Sequence, residues 1–150
     1  MTEKADLTLQ LLKADEDQGV TLDNNPFYQE LTEVIESDPK MGDQNEFSIF
    51  PYSIVENEAD TYAMLVLVIN RLEKPIRSVV FDLTLGNQDG EYIFDAISVD
   101  LVEEYMGILE IDGVIPIFLE VEARDVDLFY TLDPNNLLLE MDNFKTAFVE

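Results

Sequence analysis

Met64-Leu65-Val66-Leu67-Val68-Ile69 is apolar at every position, and it sits inside a longer β-like stretch from Thr61 to Asn70. A strand that is apolar on both faces is a central strand covered on both sides. The rest of the chain must therefore supply a packed layer above it and another below it.

The flanking segments read as shorter strands with a period of two. Phe47, Ile49 and Val55 describe a strand interrupted by Pro51, which suits a sheet edge or a bulge. From Ile76 to Leu85 the alternation is cleaner: Val79, Phe81, Leu83 and Leu85 point one way, Ser78, Asp82 and Thr84 the other. Asn87-Gln88-Asp89-Gly90 is a hairpin signal, and Tyr92 to Val99 is its return strand. Val114 to Val121 is a further strand, Leu128 to Leu132 a short one, and Leu7, Leu9 and Leu11 mark another near the start. Asn57 to Asp60 reads as a turn, and Asp100 to Gly107 as a helical turn or a crossing loop. In the tail, Leu137, Leu138, Met141, Phe144 and Phe148 fit a helix by spacing, yet residues 144–149 also fit a closing strand. Periodicity leaves both open.

One helix stands out. Asn25 followed by Pro26 is an N-cap with proline at the first helical position. Phe27, Leu31, Val34 and Ile35 then fall on one face, and Asp38-Pro39 stops the helix. About three turns are too few for stability in isolation, so this face must pack on something.

Turns every 8–12 residues without alternating helices predict an all-β fold, an immunoglobulin-like antiparallel β-sandwich preceded by one short α-helix. The expected organisation is an N-terminal segment, residues 1–44, whose helix at about 26–36 packs on a sandwich formed by residues 45–150. A length of 150 residues suits a single core.

Composition narrows the chemistry. With 33 Asp and Glu against 8 Lys and Arg the net charge is −25, which argues against binding a nucleic-acid backbone or an anionic membrane. There is no cysteine, hence no disulfide or thiolate, and no histidine, hence no Ser-His-Asp triad or imidazole metal site. The longest apolar run, Ala63 to Ile69, is far short of the ~20 residues that span a bilayer. A signal-peptide pattern is not found, and a cytoplasmic location is expected.

Two acidic groups, Glu103, Glu104, Glu110 and Asp112, and Glu120, Glu122, Asp125 and Asp127, invite comparison with carboxylate catalysis or calcium binding. Neither shows ordered ligand spacing, so the expectation is a solvated acidic rim with no metal, no cofactor and no enzymatic activity. The aromatic residues, mostly in predicted strands, are read as core filling; a stacking platform for single strands needs a basic groove beside it. Arg71, Lys74 and Arg77 do cluster in one turn. They form a candidate contact patch for an acidic protein partner, or hold a carboxylate of this chain, the second being preferred.

Leu65-Val66-Leu67-Val68-Ile69-Asn70-Arg71-Leu72-Glu73-Lys74-Pro75-Ile76 resembles the signature of the SLAP domain found in S-layer assembly proteins of the bacterial accessory Sec system. Leu83-Thr84-Leu85, Asp89-Gly90 and Phe94-Asp95 are similar to its next hairpin. Residues 141–148 look like its closing strand, and the helix from Pro26 to Ile35 has a counterpart in the family. The resemblance spans roughly residues 25–150. It departs from the family in lacking a proline-rich approach to the first strand and the usual tryptophan. It implies a non-catalytic, cytoplasmic accessory factor in export or assembly of surface-layer proteins, and a strand rather than a helix at the tail. The alternative expectation, motivated by charge density, is an acidic DNA mimic that inhibits a nucleic-acid-binding protein.

Overall fold

A computed structural model of the chain describes residues 5–56 and 61–149. The chain runs through β1 (Thr8–Leu9), α1 (Lys13–Glu16), α2 (Pro26–Ser37), β2 (Phe47–Glu56), β3 (Tyr62–Asn70), β4 (Ile76–Asn87), β5 (Tyr92–Leu101), α3 (Glu103–Met106), β6 (Gly113–Val121), α4 (Ala123–Thr131) and β7 (Leu137–Phe148). The fold is mainly β, with strands in two sheets of order β1-β6-β3-β2 and β5-β4-β7. All ladders are antiparallel except that of β1 along β6.

The all-apolar strand β3 occupies the position its composition demands. Met64, Val66 and Val68 point into a core shared with Val79, Phe81, Leu83 and Leu85 of the second sheet. Leu65, Leu67 and Ile69 point the opposite way, into a second core closed by Tyr28, Leu31 and Ile35 of α2 and by Leu7 and Leu9. Each fully buried side chain of this size contributes about 1.5–3 kcal/mol relative to exposure. That contribution holds α2 in place, since twelve residues are marginal as a free helix.

Local signals act where they were expected. The Asn25 side chain accepts hydrogen bonds from the Phe27 and Tyr28 amides at 2.9 and 3.2 Å, and Pro26 opens the helix. The buried residues of this helix are Tyr28, Leu31 and Ile35, whereas Phe27 and Val34 of the expected face are half-buried. Pro51 lies on edge strand β2 at a bulge: Pro51 pairs with Val66 and Ser53 with Leu65, so Tyr52 is the extra residue. In the β4–β5 hairpin, Asn87 Oδ1 accepts from the amides of Asp89 and Glu91, and Gly90 has φ 93°. Gly86 is needed for close approach, because a Cβ there would lie 2.1 Å from the Glu91 carbonyl oxygen.

Four expectations need correction or completion. The stretch Leu128–Leu132, expected as a strand, belongs to α4 and the residue that follows it. The capping box is the cause: the Glu122 amide donates to Asp125 Oδ2 at 2.9 Å and the Glu122 side chain caps in return. The helix before the sheets is not alone, since α1, α3 and α4 are also helical. The 71–75 turn crosses between the sheets, since β3 and β4 lie in different ones. The tail is a strand, β7, paired along β4. The turn expected at Asn57–Asp60 falls outside the described residues.

Because Val66 is buried at the centre of the shared core, Val66→Ala is expected to cost about 1–3 kcal/mol through lost burial and a cavity. Pro75→Ala should cost less, about 0.4–1 kcal/mol, by freeing the unfolded chain. Urea unfolding of both variants checks the order.

Candidate functional site

The turn that carries the family resemblance is a structural clamp. Asn70 and Arg71 are both buried. Asn70 Nδ2 donates to the carbonyls of Lys74, Leu109 and Glu110 at 3.0–3.3 Å, and its Oδ1 accepts from the Leu72 amide. Ile76 and Leu109 exchange both backbone hydrogen bonds at 2.9 Å. The two chain crossings between sheets are thereby tied together. Arg71 spends its donors on the carbonyls of Ala5, Pro39 and Met41 and on Asp112 Oδ1 at 2.9 Å.

The expected patch of Arg71, Lys74 and Arg77 therefore does not assemble on the surface. Arg71 has a fully buried side chain and faces inward. Arg77 is paired with Glu103 at 2.7 Å, and Lys74 is exposed at the turn. The preference for an internal carboxylate fits Arg71 and Arg77, but three of the four Arg71 partners are backbone carbonyls.

The acidic groups are partly consumed in the same way. Glu103 and Asp112 hold the two arginines, Glu122 pairs with Arg124 at 3.0 Å, and Asp125 caps α4. Among the described residues no three acidic side chains are placed to hold a metal ion, and no helix is long and apolar enough to cross a membrane.

One buried tyrosine has a strongly perturbed hydroxyl. Tyr28 donates to Asp15 Oδ2 at 2.7 Å and accepts from the Leu12 amide at 3.2 Å. Burial first, and then the hydrogen bond to Asp15, push its pKa well above the ordinary 10.0. Tyr105 is raised too, by burial and by the Asp15 charge. A raised pKa means the unfolded chain loses these protons first. Stability should thus be fully present below about pH 10 and fall as pH rises beyond it. Tyr28→Phe should flatten that decline, measured by urea unfolding across the alkaline range.

An apolar cleft of about 510 Å³ is lined by residues of the edge strands β2 and β7 and of α4. The bulge aims Tyr52 into it, beside Pro51. Leu85 forms its floor, α4 contributes Phe129 and Tyr130, and Leu132, Pro134 and Leu137 lead into β7. Tyr52 is 48% and Tyr130 68% exposed. A second cleft farther along the same seam, about 330 Å³, lies between Phe47 of β2 and Met141 and Phe144 of β7. Core filling is thus the role of Phe47, Phe81 and Phe94, but Phe50, Tyr52, Tyr92, Phe118 and Tyr130 are substantially exposed. The one signal for the first cleft in the sequence was Pro51, since a bulge on an edge strand redirects a side chain.

Comparison with protein-family models, with curated proteins and with solved structures returned no match to this chain.

Proposed function

We propose that this chain is a non-catalytic, immunoglobulin-like protein-interaction module, acting in the cytoplasm as an accessory factor in export or assembly of bacterial surface-layer proteins. The connectivity supports the immunoglobulin-like part. In such sandwiches strands A and B pair, E returns beside B, and F lies beside C. Here β2 and β3 pair, β6 returns beside β3, and β7 lies beside β4, with β5 in the position of C′. The SLAP-like turn at Leu72–Ile76 supports the accessory role.

The observation that carries the interaction reading is the aromatic cleft around Tyr52 and Tyr130. Large exposed tyrosines over an apolar floor are the composition of a protein-contact site. The test is affinity capture from the native bacterial host with the wild-type chain and with a Tyr52→Ala, Tyr130→Ala double variant. Surface-layer or secretion-machinery proteins retained by the first and lost by the second are the expected result. Capture of nucleic-acid-binding proteins, undiminished in the variant, would replace this reading with the acidic DNA mimic, for which the charge of −25 speaks. Capture of nothing specific would sink both.

A further inference from the structure

We propose that the outer edge of β7 is a strand-addition site for an extended segment of a protein partner, in which apolar residues alternate with lysine or arginine. This rests on the interaction-module reading and names where and what the module binds.

Among the described residues β7 pairs with β4 on one side and with no strand on the other. From Leu137 to Asp142 its register against β4 is continuous, six residues without proline. An edge of this kind presents unpaired backbone donors and acceptors, and proteins ordinarily blunt it. The edge strand β2 is blunted by Pro51 and its bulge. The edge strand β5 is interrupted where its register against β4 shifts, next to Ala96 at φ 52°. Within β7 the break comes only after Asp142, at Asn143 with φ 53°. In the immunoglobulin-like connectivity this edge is where strand G would lie beside F.

The chemistry of the occupant follows from the two faces of that edge. Leu137, Leu139 and Met141 point toward the shared core. Leu137 borders the cleft at Tyr52, and Met141 borders the cleft at Phe47 and Phe144. Residues four apart on a strand are separated by about 13 Å on one face. An added strand would therefore set apolar side chains at i and i+4 into the two clefts, with i+2 between them over the seam. Its alternate residues would lie on the outer face beside half-buried Leu138 and the exposed Glu140 and Asp142. On a chain of charge −25, the positions beside the two acids select Lys or Arg. The same charge disfavours a second copy of this chain, which would bring a like-charged edge against this one.

The probe is a short synthetic peptide alternating lysine with leucine and valine. Two controls accompany it: the same residues with lysines and apolar residues in separate blocks, and the alternating peptide N-methylated along its pairing edge. Binding is followed by titration, and its location by amide hydrogen exchange on the intact chain. The alternating peptide should bind and slow exchange of the amides in Leu137–Asp142. The block peptide should bind about tenfold more weakly, and the N-methylated one about a hundredfold, because about three main-chain hydrogen bonds are lost. No binding, equal binding of the alternating and block peptides, or protection confined to other strands overturns the proposal. A peptide-free dimer that already protects the β7 amides also overturns it, in favour of a second copy. Since the controls alter the peptide, folding of the protein is not in question. A partner captured from the host that leaves the β7 amides unprotected removes this inference but not the module reading. Peptide seated on β7 with no host partner does the reverse.

Discussion

Arg71→Ala is expected to destabilise the protein by about 3–5 kcal/mol, the cost of withdrawing a buried charged group from partners that stay behind. Three carbonyls, from Ala5, Pro39 and Met41, lose their donor together with Asp112. Each orphaned, desolvated acceptor costs more than its net hydrogen bond was worth. Arg71→Lys should recover only part of the loss, because an ammonium lacks the planar fork that reaches several acceptors at once. Asp112→Asn should cost less, about 1–3 kcal/mol, since the three carbonyls still hold the guanidinium and the amide oxygen at 112 can still accept from it. Urea unfolding of the three variants gives the order. Limited proteolysis adds a local readout: Arg71→Ala should expose residues 5–41 to cleavage before the sheets unfold. An Asp112→Asn variant as damaged as Arg71→Ala would mean that the ion pair, not the carbonyl clamp, holds this end of the molecule.

Phe81→Ala is the second large effect, about 3–5 kcal/mol. Phe81 is 1% exposed at the middle of β4. Its ring meets Phe47 of the opposite sheet at 5.9 Å edge-on and Phe144 of β7 at 6.0 Å. Truncation leaves a cavity between two sheets whose hydrogen-bonded ladders fix the strands, so the walls cannot simply close. Phe144→Ala should cost much less, because that ring is already 40% exposed along the seam. Thermal or denaturant unfolding measures both. A Phe81 variant close to wild type would show that the sheets do not depend on this contact.

How much of this was legible beforehand depended on the range of the interactions. The double-faced burial of β3 could be read from six consecutive apolar residues, since a strand of that composition must be covered on both faces. The start of α2 was legible in Asn25-Pro26, and the hairpin in Asn87–Gly90, because caps and tight turns are made by neighbours in sequence. Pro51 marked an edge or a bulge, but not the side chain the bulge redirects, so the Tyr52 cleft stayed hidden.

The tail shows why periodicity failed to decide. Leu137, Leu139 and Met141 face the core in strand alternation, and the bulge at Asn143 then inserts one residue, so that Phe144 packs on Phe47 and Phe81. Leu137, Met141, Phe144 and Phe148 consequently fall at i, i+4, i+7 and i+11, the spacing of a helix. Pairing along β4 resolves what the pattern alone left ambiguous.

Local chemistry in this chain determined the strands from Phe47 to Val121, where α2 begins and that β3 is covered on both sides. Tertiary structure decided what Arg71 does. Its acceptors lie at Ala5, Pro39, Met41 and Asp112, 30 to 66 residues away along the chain. Three of them are backbone carbonyls, which every residue type carries, so nothing in the identity of those residues announces the contact. It exists only because the strand crossing brings residue 71 to the place where the N-terminal segment folds back over the sheet.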